Sequence, residues 1–252
     1  MTIERAITVQ TSGRYLVQFP DHSGPAPLLV GLHGYAEDAE AMLERLRSIP
    51  EVGEWLLVSI QGLHRFYRGR TEEVVASWMT RQNRERLIED NISYVAAVVA
   101  AVRRERPVGG LLMFAGFSQG VAMAFRSAAH FSGTRPQLTT VRESADAERE
   151  GSAALETLRV SVIALGGDVP PELDRESLSA VEATLLGRGK RDQWYTEAKC
   201  LSDTARLQAA GQNVETFEFD GGHEWAPAFS RMVGTFLKRQ LNVVRTPGRD
   251  RR

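Results

Sequence analysis

The chain has 252 residues, of which 42% are hydrophobic and 25% charged, and carries a formal net charge of −1. That length suits one sizeable domain with a substantial core, and the even charge leaves no general electrostatic reason to bind nucleic acid or an anionic membrane. Its one cysteine, Cys200, excludes an internal disulfide and fits a reducing compartment.

The opening residues, M-T-I-E-R-A-I-T-V-Q, hold no uninterrupted apolar stretch of the kind a signal peptide needs. No later run approaches a membrane-spanning length, so a cytoplasmic protein without integral membrane association is expected. I-T-V-Q and Y-L-V-Q-F, split by T-S-G, read as an N-terminal β-hairpin. Further strands are expected at P-L-L-V-G-L (27–32), W-L-L-V-S-I (55–60), L-L-M-F-A (111–115), V-S-V-I-A-L (160–165), V-E-A-T-L-L (181–186) and V-E-T-F-E-F (214–219). The central runs are short, continuous and rich in β-branched residues, as strands buried on both faces should be.

Helical patterns lie between them. Residues 36–48 carry Met42, Leu43 and Leu46; residues 84–105 set Ile88, Ile92, Val95, Val99 and Val102 on one amphipathic face. Residues 119–130 follow a serine-containing turn. Residues 194–210 put Ala198, Leu201 and Ala205 on one stripe and end at Gly211, a left-handed cap. Cys200 falls in this pattern and reads as packing. Residues 226–240 close the series. Such alternation predicts a mostly parallel sheet with helices on both faces and an antiparallel N-terminal edge, in a single domain over 1–241. Residues 131–158, polar and acidic, read as an inserted surface loop or a lid, and residues 242–252 as a flexible basic tail.

Residues 111–123, L-L-M-F-A-G-F-S-Q-G-V-A-M, hold the pattern G-x-S-x-G. Alone it is weak in a chain with 22 glycines. Here it follows a strand and opens a helix, the setting of a nucleophile elbow, with Ser118 at the apex. A serine hydroxyl needs a base at neutral pH. Of His22, His33, His64, His130 and His223, the first and third read as surface residues, and His130 as a helix-terminal cation. His223 lies in F-D-G-G-H-E-W, directly after the last strand, at the edge where open α/β sheets keep their sites. It is the expected base.

The base needs a carboxylate to orient it. Asp192, in L-L-G-R-G-K-R-D-Q-W-Y, is favoured because its strand should neighbour that of His223. Asp168, in A-L-G-G-D-V-P-P-E-L, stays open as the alternative, although it reads more simply as a turn residue. An oxyanion hole requires two backbone N–H groups. One should come from Gln119, after the serine. The other should come from Tyr35, in the G-L-H-G-Y-A-E-D loop after the third strand, with His33 shaping that loop.

L-H-G-Y, G-F-S-Q-G, G-x-x-D at 189–192 and G-G-H-E, in this order, resemble the phospholipase/carboxylesterase family of α/β hydrolases, which includes acyl-protein thioesterase-like enzymes. The resemblance implies a three-layer α/β-hydrolase fold and a triad of Ser118, Asp192 and His223, with the Tyr35 and Gln119 amides as oxyanion hole. It also implies that Trp78, in A-S-W-M-T, lines the acyl side of the substrate pocket; Trp225, just after His223, is the other pocket candidate. Departures fall at Val121, at Arg188-Gly189, at the 166–173 turn and at the 131–158 insertion. None removes a triad member. The expected activity is hydrolysis of a small-molecule or acyl-chain ester or thioester with no metal or organic cofactor; none of the zinc-site spacings is present.

Overall fold

A computed structural model of the chain describes residues 2, 3, 5–133 and 158–245. In chain order the elements are β1 (Arg14–Gln18), β2 (Ala26–Leu32), α1 (Ala39–Arg47), β3 (Leu56–Gln61), β4 (His64–Tyr67), β5 (Val74–Ser77), α2 (Arg84–Glu105), β6 (Val108–Phe117), α3 (Gln119–Gly133), β7 (Arg159–Leu165), α4 (Arg175–Ser179), β8 (Ala183–Gly189), α5 (Glu197–Ala209), β9 (Asn213–Phe219) and α6 (Pro227–Arg245). A seven-stranded sheet takes the order β1-β3-β2-β6-β7-β8-β9. All neighbours are parallel except β1, which runs antiparallel to β3.

The central strands read as unbroken apolar runs because both of their faces are covered. Along β2 and β6, Leu28, Val30, Leu112 and Phe114 point to one layer, built from α2, α3 and α5. Leu29, Leu111 and Met113 point to the other, where α1 and α6 supply Met42, Leu46, Phe229 and Phe236. The result is three layers, helix–sheet–helix, as expected. Asp38 caps α1 by accepting from the Ala41 amide at 2.8 Å, and Gly211 leaves α5 at φ 89°.

The structure departs from the expectations at the margins. The N-terminal edge is one strand on β3, not a hairpin: residues 7–10 are in no strand, and Ile7 and Val9 are 87% and 74% exposed. Alternation alone does not make a strand without a partner to pair with. Helix α5 is present, but Ala198, Leu201 and Ala205 face solvent, while Cys200, Asp203 and Leu207 are buried. Two polar-looking residues at its inner face hid the true stripe. Helix α6 continues to Arg245, past the domain end expected at 241. The 131–158 insertion falls outside the described residues apart from its ends, and so does the tail from 246. The β4–β5 hairpin, a separate two-stranded sheet, was not foreseen.

Candidate active site

Strand β6 ends at Phe117 and α3 starts at Gln119, so Ser118 alone turns the chain. It does so at φ 52°, a left-handed conformation that costs a non-glycine residue strain. The turn is held by the Ser118 amide on the Leu165 carbonyl at 2.9 Å. Close passage explains the flanking glycines. A Cβ on Gly120 would come within 2.0 Å of the Leu32 carbonyl oxygen, and one on Gly116 within 2.5 Å of the Gly120 carbonyl oxygen.

His223 lies in the loop between β9 and α6, and its Nε2 stands 2.8 Å from Ser118 Oγ. Its Nδ1 stands 2.8 Å from Asp192 Oδ2. The other Asp192 oxygen, Oδ1, accepts from the amides of Trp194 and Tyr195 at 2.8 and 2.9 Å. With its side chain 1% exposed, the carboxylate is shielded from water yet fully bonded. Adjacent parallel strands make the meeting possible: Asp192 lies just past the end of β8 and His223 just past the end of β9. Beyond the strands the two loops stay joined, Lys190 N–H to Phe219 O and Arg191 N–H to Gly221 O, both at 2.9 Å. Asp168 is turned to another partner, 3.1 Å from Lys199 Nζ, with its side chain 56% exposed.

Two further contacts fix the imidazole. The Phe117 ring lies 5.1 Å from it, and Arg45 stacks its guanidinium 4.4 Å from the centre of the Phe117 ring. Arg45 also pairs with Glu37, whose Oε2 accepts from the Gly34 amide at 2.7 Å. Burial works to raise the Glu37 carboxyl pKa, but the Arg45 hydrogen bonds and charge outweigh it and hold it below the ordinary value.

The loop bearing Tyr35 follows β2, the second strand of the fold. It is clamped from beneath. The buried His33 ring bonds the Gly34 carbonyl through Nδ1 at 2.7 Å and accepts the Gly62 amide at Nε2 at 2.9 Å. Strand β5 adds a bridge, with Ala36 N–H on Ala76 O at 3.0 Å and Ala76 N–H on Glu37 O at 2.8 Å. The Gln119 side chain is locked as well: it accepts the Trp78 amide at 2.9 Å and donates to the Met79 carbonyl at 3.1 Å. As first residue of α3, Gln119 has no preceding helical turn to take its N–H.

The tryptophans are redistributed. Trp78 is fully buried and does not border the cleft; its Nε1–H donates to the His33 carbonyl at 2.8 Å, so it braces the Tyr35 loop from behind. Trp225 is tied down by its own hydrogen bond to Ser230 and packs edge-on against Phe229. The tryptophan at the cleft is Trp194, 75% exposed. Sequence reasoning missed it, together with Met79, Ala122 and Arg126, because α3 and the β5–α2 connection converge only in space. Its proximity to Asp192 was the available signal.

The cleft over Ser118 and His223 encloses about 640 Å³. A hollow of similar size, about 660 Å³, lies elsewhere beside Glu51, Trp55 and Lys238 and contains none of these groups. No helix among the described residues is long and apolar enough to cross a membrane.

Comparison with known proteins bears on this arrangement. The family model described as "Serine hydrolase (FSH1)" matches residues 29–234. No curated protein matches the sequence significantly. Among solved structures, esterase PE8 superposes with a TM-score of 0.64 at 20% identity, covering 92% of this chain and 99% of its own. Zea mays acyl-protein thioesterase 2 gives 0.65 at 20% identity over 91% and 100%. The Bacillus cereus carboxylesterase gives 0.63 at 13% identity over 90% and 94%. At these identities the likeness is one of fold, the three-layer arrangement of α/β hydrolases.

Proposed function

Because the chain belongs to the FSH1 serine hydrolase family, we propose that it hydrolyses carboxylic esters or thioesters through Ser118, His223 and Asp192. The observation that carries this reading is the unbroken hydrogen-bonded chain from Ser118 Oγ through the imidazole to Asp192. Names of the structural neighbours, esterase, carboxylesterase and acyl-protein thioesterase, point the same way.

In this mechanism Ser118 Oγ attacks the acyl carbonyl while His223 Nε2 takes its proton. The carbonyl oxygen becomes negative and is held by the Tyr35 and Gln119 N–H groups. Collapse breaks the bond to the alcohol or thiol, which leaves with the proton from His223. Water then repeats the sequence on the acyl-enzyme and frees the acid. Asp192 keeps Nδ1 protonated, so Nε2 is the atom free to accept, and it stabilises the imidazolium between steps. The enzyme works in the cytoplasm in this reading, where its one thiol stays reduced.

The test is turnover of a panel of p-nitrophenyl esters and acyl thioesters by wild type and Ser118→Ala. Hydrolysis by the first and none above background by the second supports the reading. An inert wild-type protein across both panels would turn it toward a non-catalytic binding role for the same scaffold.

A further inference from the structure

Helix α3 repeats a direction away from the nucleophile. Ala122 and Arg126, four apart, share one side of α3, and with Ser118, just before the helix, they border the cleft. Ala122, between the other two, presents only a methyl group to the cleft. At its far end the Arg126 side chain is 2% exposed. A buried guanidinium at the wall of the cleft needs a reason, since a desolvated cation is costly unless it is paired.

Among the described residues the pairing of Arg126 rests on a single acceptor oxygen. Arg126 Nε and Nη2 share a single oxygen, Oε1 of Glu172, at 2.8 and 2.5 Å. Among the described residues Nη1 meets only sulfur, Met79 Sδ at 3.6 Å and Met123 Sδ at 4.0 Å, and thioethers are weak acceptors. Arg84, exposed at the start of α2, borders the same cleft and is close enough to act electrostatically on both Arg126 and Glu172. These three described groups sum to one positive charge, the sign that would attract one more anion.

We propose that Arg126, assisted by Arg84, is a specificity-determining site for a carboxylate at the distal end of the acyl chain. The inference rests on the hydrolase reading above and names its substrate class: monoesters or thioesters of dicarboxylic acids. The leaving group must lie within reach of His223 Nε2, so the acyl chain takes the strip along α3. From Gln119, where α3 begins, to Arg126 the helix rises about 10 Å, and an arginine side chain leans back toward the helix start. Acyl chains of about six to eight carbons fit that shortened gap. Glu172 does not cancel the site, because it engages one edge of the guanidinium through one oxygen.

The experiment compares p-nitrophenyl monoesters of dicarboxylic acids with their methyl-capped counterparts, over a series of chain lengths. Wild type should favour the free carboxylate by about ten-fold or more in kcat/KM at the matching length, as a charge-assisted hydrogen bond allows. That ratio should fall toward one in Arg126→Gln and in the exposed variant Arg84→Gln. Placing the carboxylate on the alcohol side should bring no gain. A ratio near one at every length in wild type, or a ratio that neither substitution moves, overturns the proposal. Calorimetric binding of adipate or suberate to wild type and to Arg84→Gln reads the same site without turnover. Binding weakened by the substitution supports it; no binding to wild type counts against it. Failure of the hydrolase reading shows instead as inert methyl-capped and uncapped esters alike.

Discussion

Ser118 Oγ and His223 Nε2 stand 2.8 Å apart although 105 residues separate them in the chain. Only the sheet order, which lays β6, β7, β8 and β9 side by side, brings these two loops to one edge. Replacing either partner should therefore remove chemistry without removing the fold. Ser118→Ala and His223→Ala are each expected to lower kcat by about 10⁴-fold or more. Thermal melts of both variants should stay close to wild type, since alanine at 118 keeps the same left-handed turn and the core is untouched.

The two aspartates separate by the same logic. Asp192→Asn places a neutral amide against His223 Nδ1 and favours the wrong tautomer, so kcat should fall by about 10⁴-fold. Asp168→Asn gives up only an exposed pair with Lys199, which is worth little. Steady-state kinetics on one ester with both variants decides; the opposite ranking would move the acid to Asp168.

The tryptophans should divide between scaffold and surface. Trp78→Phe keeps the ring but strands the buried His33 carbonyl without its donor. A stability loss of about 1–3 kcal/mol is expected, with a drop in kcat as the Tyr35 loop loses its brace. Trp194→Ala leaves the Asp192 contacts intact, because those come from backbone amides. Its stability should stay within about 0.5 kcal/mol of wild type, while KM shifts. Denaturant titration with parallel kinetics reads both.

His33 sets an acid limit on stability. Burial pushes its imidazole below the ordinary value of 6.5. The folded state thus prefers the neutral ring, and the unfolded state binds more protons. Stability from this group is full above the ordinary value and is lost as pH falls through it toward the folded one. His33→Gln can still accept from the Gly62 amide but cannot titrate. Melting temperatures between pH 7.5 and 5.5 should fall more steeply for wild type than for the variant, and parallel slopes would exclude His33 as the cause.

The strand–turn–helix setting of Ser118 was legible because it is local: a strand, a turn residue and a helix start fall within a dozen positions. That Asp192 would lie beside His223 was legible because strand neighbours could be inferred from chain order. The walls of the cleft were not. Arg126 and Met79 carry no local mark of proximity, and Trp78 looks the same in sequence whether it faces substrate or the back of a loop. Residues 7–10 show the reverse case, a strand-like alternation that finds no partner. The stripe of α5 was misread because Asp203 is buried for its bonds to Tyr195 and the Val169 amide, which a hydrophobic pattern cannot register.

The most direct test is labelling with a fluorophosphonate followed by peptide mapping. It asks whether one serine hydroxyl, of the sixteen in the chain, is activated by its neighbours. A single phosphonyl adduct on Ser118 is expected in the native protein, absent after denaturation and strongly slowed in His223→Ala. Native protein that takes no label, or takes it on a different side chain while Ser118 stays unmodified, would contradict the assignment.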